Sequence, residues 1–242
     1  MKIGIGIISY KRPEECLSVC QGVLSTIDKS VHNYKLICSI DQEDISEYKE
    51  VLKIFPVVNG KNGGVAVNKN RALWNLRDCD VIFLLEDDFK PIYTGWVELY
   101  LTALKESGMR HLNHIRLDHR DLLYKVIRLP SVTLGIYQRN TAQLMVMTKE
   151  VIEKIGAFDI SYGKFGYEHS DYTRRCKLAG LCSPANHDAH PFVIESDIYF
   201  KDLGTAPCFS EEERKKYSEE ANKIYMKFDP NKIYIPFTKE IL

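Results

Sequence analysis

The sequence predicts an α/β fold, a mixed and mainly parallel sheet flanked by helices, and three observations carry that reading. Val81 to Leu85 is a continuous apolar run of strand length, the pattern of a strand covered on both faces. It stops at three adjacent acids, Glu86, Asp87 and Asp88. Ahead of it, two short β-branched runs alternate with helical patterns, the order that builds parallel strands joined by right-handed crossovers. The ligand crevice of such a sheet lies outside the carboxyl ends of its strands, so the acids are placed at its mouth. Period-2 geometry sends Glu86 and Asp88 to one face and Asp87 to the other.

Ile3 to Ser9 reads as a buried strand in which Gly4 and Gly6 admit a close neighbour. Pro13, Glu14 and Glu15 make a good first helical turn, and Cys16, Val19, Cys20, Val23, Leu24 and Ile27 recur at helical spacing, so a helix is expected over 13–27. Tyr34 to Ile40 is the next strand and delivers Asp41 to the same edge. Glu47 to Phe55 reads as a helix, Pro56 to Val58 as a short extended piece, and Asn59 to Gly64 as a turn able to take positive φ. Val65 to Leu76 is a helix carrying Asn68, Lys69, Asn70 and Arg71, with Lys69 expected to be exposed.

Beyond Pro91, Trp96 to Ser107 is an amphipathic helix, while His111 to Arg128 has no clean period. Thr141 to Thr148 reads as an internal strand, Lys149 to Ile155 as a short helix stopped by Gly156, and Tyr172 to Ala179 as a helix stopped by Gly180. His187 and His190 fall in a segment that Pro184 and Pro191 mark as an extended loop. Ser210, followed by Glu211 to Glu213, starts a C-terminal helix reaching Lys227.

The 33 basic and 33 acidic residues cancel, which argues against a surface built to track nucleic-acid phosphates or a strongly basic membrane face. Seven cysteines, an odd number without a CxxC pair, point to free thiols in a reducing compartment rather than a disulfide or zinc framework. No secretory signal or spanning segment is visible. A cytoplasmic location is expected.

The motifs, in order, resemble those of a glycosyltransferase of the GT-A fold, in the manner of the large inverting family 2. Ile7 to Pro13 (IISYKRP) resembles the strand and turn that hold the donor nucleoside. Asp41 stands where such enzymes carry an acid that reads the base. Asn62-Gly63-Gly64 with Lys69-Asn70-Arg71-Ala72 resembles the Asn-x-Gly and Arg-Asn pattern, with lysine in the arginine place. Glu86-Asp87-Asp88 stands at the DxD motif and departs from it by glutamate in the first place. Gly156 to Asp159 and Gly166 to Asp171 resemble the G-x-F-D and W-E-D blocks near the acceptor, with His169 where an aspartate is usual.

The resemblance covers about residues 3–180. It implies a GT-A domain over 1–205, with a nucleotide-sugar half over about 1–92, an acceptor half over about 93–205, and a C-terminal helical extension over 206–242. It implies a donor site made by Ser9, Tyr10, Arg12, Asp41, Asn62, Gly64, Lys69 and Asp87. A Mn²⁺ or Mg²⁺ ion is expected on Asp88, with Glu86 nearby and His190 as a late ligand; oxygen ligands suit either cation. Glu168 is the expected base, with His169 orienting the acceptor or phosphate and Asp171 as a second acid; histidine also suits the task, with an ordinary pKa of roughly 6.5. The implied activity is metal-dependent transfer of a sugar from a nucleotide-sugar donor, a UDP-sugar by preference, to a hydroxyl with inversion. A nucleotidyltransferase and a catalytically silent nucleotide-sugar or glycan-binding module are the rivals. The acceptor, whether glycan, protein, lipid-linked sugar or nucleic acid, and a homodimer through the C-terminal helix stay open.

Overall fold

Strand β1 (Lys2–Ser9) lies between β2 (Asn33–Ile40) and β4 (Val81–Glu86), parallel to both, with Ser9 level with Ile40 and Ile8 level with Glu86. This register brings Ser9, Asp41 and the acids to one edge. The structure is a computed structural model that describes residues 1–114, 123–137, 143–182, 190–204 and 207–238. His119 and His187 lie outside the described residues.

The alternation along β1 explains why it is central. Ile3, Ile5 and Ile7 enter a core with Phe83, Trp96, Tyr100 and the apolar stripe of helix α1 (Pro13–Thr26). Gly4 and Gly6 point the other way, toward helix α3 (Val65–Leu76), where a Cβ on Gly6 would meet Leu84 Cδ2 at 2.8 Å and Ala72 Cβ at 3.2 Å. Their missing side chains let α3 approach the sheet closely enough to bring its polar residues to the strand ends.

Helix α2 (Lys49–Ile54) and strand β3 (Val57–Asn59) complete the parallel half. A 3₁₀ turn, Ser46–Tyr48, replaces the start of the helix expected from residue 47. After β4 come β5 (Phe89–Pro91), α4 (Trp96–Ser107), β6 (His111–Asn113), β7 (Leu123–Arg128), β8 (Thr133–Tyr137) and β9 (Leu144–Thr148). Helices α5 (Lys149–Ile155) and α6 (Glu168–Leu178), strands β10 (His190–Val193) and β11 (Phe200–Asp202), and helix α7 (Glu211–Met226) follow.

The nine-stranded sheet runs β3-β2-β1-β4-β9-β6-β10-β8-β7, and β11 pairs separately with β5. Strand β9 is antiparallel to β4 and β6, which makes the sheet mixed. One core lies on the α1, α2 and α4 face; the other, with Met145, Met147, Phe158 and Tyr172, lies on the α3, α5 and α6 face. Each fully buried Ile, Leu or Phe contributes about 1.5–3 kcal/mol, and both faces are filled.

Helices α3, α4 and α5 have the bounds that the sequence predicts. Two expectations are corrected. His190 stands in a strand paired antiparallel with β8 rather than in a loop, with Pro191 opposite Ile136 and the whole strand buried, so burial overrides the loop signal of the proline. Helix α6 starts at Glu168, four residues before the predicted Tyr172, with Tyr167 at φ 63 forming the sharp entry. The C-terminal helix begins with the predicted Ser210 cap, whose side chain accepts from the Glu213 amide while Glu213 reaches back. Among the described residues, no helix is long and apolar enough to cross a membrane.

Candidate functional site

A cavity of about 490 Å³ opens at the carboxyl edge of β1, β2 and β4. Its floor is the turn after β1. Ser9 Oγ donates to Asp87 Oδ2 at 2.7 Å and bonds the Tyr48 hydroxyl at 2.9 Å; that hydroxyl in turn accepts the Arg12 amide at 3.0 Å. The Arg12 guanidinium lies 3.1 Å from Asp87 Oδ1 and 3.3 Å from Asp88 Oδ2. The turn is held so tightly that Lys11 is driven to φ 54. Lys11 and Tyr167, the two non-glycine residues with positive φ among the described residues, each flank this site, and such conformations persist only where their surroundings enforce them.

Asp41 shapes the opposite wall. Its carboxylate accepts the Gly63 and Gly64 amides at 3.0 and 2.8 Å and an Arg71 N–H at 2.9 Å. Gly64 sits at φ 94, and a Cβ there would stand 2.2 Å from the Gly163 carbonyl oxygen. Lys164 closes the same seam by donating to the Asn62 carbonyl. The Asn-Gly-Gly segment is therefore a fixed wall, and the acid at the end of β2 is its brace. A carboxylate offers about four acceptor positions, so Asp41 keeps room for one more donor.

Behind the acids, the Lys69 ammonium lies 3.5 Å from Glu86 Oε1 and 3.3 Å from Glu168 Oε1. Lys69 is buried, at 1% exposure, which corrects the expectation of an exposed residue. The close seat of α3 on Gly4 and Gly6 turns it inward. Burial pushes the Glu86 carboxyl up to about 8, and the charges of Asp88, Glu168 and Asp87 add to the rise against the pull of Lys69. Burial likewise raises Asp87 to about 7, against the Ser9 hydrogen bond and Arg12. Glu168 goes the other way: burial acts upward, but His169 and Lys69 together hold it well below the usual carboxylate range. His169 Nδ1 lies 3.1 Å from Glu168 Oε1.

The cavity gathers Ser9, Tyr10, Arg12, Asp41, Asn62, Gly64, Glu86, Asp87, Asp88, Glu168 and His169 from the residues that the sequence singles out. Three stand outside its lining. Lys69 lies behind the two glutamates. Asp171 is turned away, bonded at 2.8 Å to the buried Arg175, whose guanidinium also donates to the Ile155 and Ala157 carbonyls. His190 is buried on β10, and among the described residues its Nδ1 has no hydrogen-bond partner. Glu86, Asp88 and His190 do not form one ligand cluster: among the described residues, the only three-residue group with ligand atoms that close is Cys16, Cys20 and Cys38, in the apolar core. Glu86 and Asp88 by themselves fit a hard cation. They are cavity-lining oxygen donors with Asp87 and Glu168 in the same lining, and a divalent ion would neutralise that concentration of carboxylates.

Sequence reasoning missed Asn68, Gln143, Lys164 and Phe165, and above all Pro207, Cys208, Phe209 and Arg214, all of which line the cavity. Asn68 sits one residue before the Lys69-Asn70-Arg71 motif. The last four lie beyond the stretch that the resemblance covers, and only the helix-start signal at Ser210 marks them.

No family model matches this chain. It is 24% identical over 192 residues to an uncharacterised glycosyltransferase of Acanthamoeba polyphaga mimivirus, covering 73% of each chain. Its structure is similar to that of Staphylococcus aureus TarS residues 1–349 in complex with UDP, with a TM-score of 0.57 and 11% identity over 96% of this chain and 73% of that one. It is also similar to the mannosyltransferase PcManGT of Pyrobaculum calidifontis in complex with GDP-Man and Mn²⁺, with a TM-score of 0.56 and 9% identity over 74% of this chain. The match spans about half of that mannosyltransferase, 52% of its length. The fold is that of the GT-A glycosyltransferases.

Proposed function

We propose that this protein is a metal-dependent glycosyltransferase that moves a sugar from a UDP-sugar to an acceptor hydroxyl with inversion. The observation that carries the reading is the convergence, in one cavity, of the β1 turn, the Asp41-braced wall, the acids after β4 and the Glu168–His169 pair. The UDP complex of TarS and the GDP-Man and Mn²⁺ complex of PcManGT support a nucleotide-sugar donor and a divalent cation.

In this reading Tyr10 and the Asn62–Gly64 wall receive the nucleoside, and the remaining acceptor position of Asp41 takes a base N–H. A Mn²⁺ or Mg²⁺ ion held by Asp88, with Glu86 beside it, would stabilise charge on the departing diphosphate. Lys69 fixes Glu86 and Glu168 from behind. The acceptor proton goes to His169 rather than to Glu168, whose buried carboxylate is already engaged by the Lys69 ammonium and the imidazole. Glu168 then orients the imidazole and balances the charge it gains. His169 also has the greater side-chain exposure, 18% against 4%.

Hydrolysis of UDP-, GDP-, dTDP- and CMP-sugars, each with Mn²⁺, Mg²⁺ or EDTA, tests the proposal. Release of sugar from one donor, dependent on metal and lost in Asp88→Asn, supports it. The absence of release from every donor would move the weight to a silent binding module.

A further inference from the structure

The C-terminal segment is not an appendage to the cavity but its fourth wall. Pro207, Cys208, Phe209 and Arg214 all line it, although this stretch follows Tyr10 by nearly 200 positions. Cys208 Sγ donates to the Tyr10 carbonyl at 3.2 Å, across 198 residues of sequence. The Phe209 ring lies over the Tyr10 ring with centroids 6.0 Å apart and planes inclined by 24°. Tyr217 of α7 meets the Phe209 ring edge-on, with centroids 5.5 Å apart.

Both ends of this wall are anchored. On one side β11 pairs with β5, directly after the acids. On the other, α7 is fixed to α6: the Arg174 guanidinium stacks 3.4 Å from the Tyr225 ring and donates to the Tyr225 carbonyl. Farther on, Ile235 is clasped by backbone hydrogen bonds to Ile155 and Ala157. A segment held at both ends, with its aromatic and cationic side chains turned into the cavity, is built to face a ligand.

Resting on the donor-site reading above, we infer that Phe209 and Arg214 are donor-binding residues: Phe209 and Tyr10 grip the nucleobase between their rings, and Arg214 meets the diphosphate. Two rings sandwiching a base must stand about 7 Å apart, twice the contact distance of about 3.5 Å. The two rings already face one another at the cavity, with centroids 6.0 Å apart and planes 24° from parallel, and a base enters by parting them. Centroid spacing near the outer end of the useful range makes the Tyr10–Phe209 contact itself weak, so exchanging it for two ring–base contacts is favourable. Arg214 is exposed and lines the cavity. Its guanidinium is thus available to a phosphate, for which the planar fork is suited.

The test is calorimetric titration of UDP and of uridine, in Mn²⁺, into the wild type, Phe209→Ala, Phe209→Tyr and Arg214→Ala, with melting temperatures as the folding control. Loss of one base stack costs roughly tenfold or more in affinity. Phe209→Ala is therefore expected to weaken both UDP and uridine by that factor, and Phe209→Tyr to restore them. Arg214→Ala is expected to weaken UDP and leave uridine unchanged. Wild-type affinity for UDP in both alanine variants would overturn the inference while leaving the donor reading intact. Failure of the wild type itself to bind UDP would overturn the UDP-sugar reading and this inference with it.

Discussion

The Lys69 ammonium stands 3.3 Å from Glu168 Oε1, and the two residues are 99 positions apart and almost wholly buried. This contact joins the helix that follows the Asn-Gly-Gly wall to the helix that carries His169. Through the second contact to Glu86, at 3.5 Å, one cation sets the spacing between the expected metal-binding acid and the carboxylate that orients His169. Geometry at the reacting centre then depends on a residue that does not line the cavity.

Lys69→Met keeps the length of the side chain and removes its charge. Glu168 then loses one of its two basic partners and keeps only His169, and breaking a buried pair costs about 3–5 kcal/mol. Chemical denaturation at neutral pH is expected to show a loss of about that size. Part of it should return when the pH is lowered, because protonation removes the uncompensated charge.

Asp171 separates a structural from a catalytic role. Its bond to Arg175 secures a guanidinium that holds the Ile155, Ala157 and Ile233 carbonyls, so it ties α6 to α5 and to the C-terminal segment. Asp171→Asn is expected to lower stability by about 1–3 kcal/mol while leaving kcat of the folded enzyme within a few fold. His169→Ala should instead lower kcat by roughly 100-fold or more, a loss that persists when the rate is expressed per folded molecule. Steady-state kinetics beside melting curves distinguishes the two.

Stability should fall with acid because of buried neutral histidines. Burial lowers His111 to about 4, with Nδ1 on the Val146 carbonyl and Nε2 on the Thr173 hydroxyl; burial also sends His190 well below its ordinary value. The unfolded chain therefore binds protons that the folded chain refuses. The stability from His111 is fully present above about pH 6.5 and is lost as pH falls toward 4. The loss is on the order of 3 kcal/mol. Urea titrations from pH 8 to 4.5 should show this slope, and His111→Gln should flatten it.

Cys208 reports on the cavity without mutation. The other six cysteines are buried, and Cys208 alone is partly exposed. Iodoacetamide is expected to label one thiol per native chain, slowly, since burial raises the Cys208 thiol above its ordinary pKa. Bound nucleotide should slow it further. Labelling of several thiols at the same rate would contradict the packing of the Cys16, Cys20 and Cys38 group.

Much of the nucleotide half was legible in the sequence, because β1, β2 and β4 are apolar runs and two of them, β2 and β4, end in acids. Helices α3, α4 and α5 were legible through their apolar period, and α4 and α5 also through Gly108 and Gly156 at their ends. Strands β6 and β10 were not. They are three and four residues long and begin with the buried polar side chains His111 and His190, so no alternation marks them. The interior positions of Lys69 and Arg175 run against the strong preference of such residues for the surface, and their partners lie far away in sequence or on backbone atoms. The wall formed by Phe209 and Arg214 depends on a return of the chain to Tyr10, which no local pattern announces.

The most direct test of the central claim is calorimetric titration of UDP into the wild type and Asp88→Asn, in Mn²⁺ and in EDTA. The account predicts wild-type binding that needs the cation and is weakened at least tenfold by the substitution. Binding of equal strength in all four conditions would contradict a cation held by Asp88, and an absence of binding in all four would contradict UDP as the donor nucleotide.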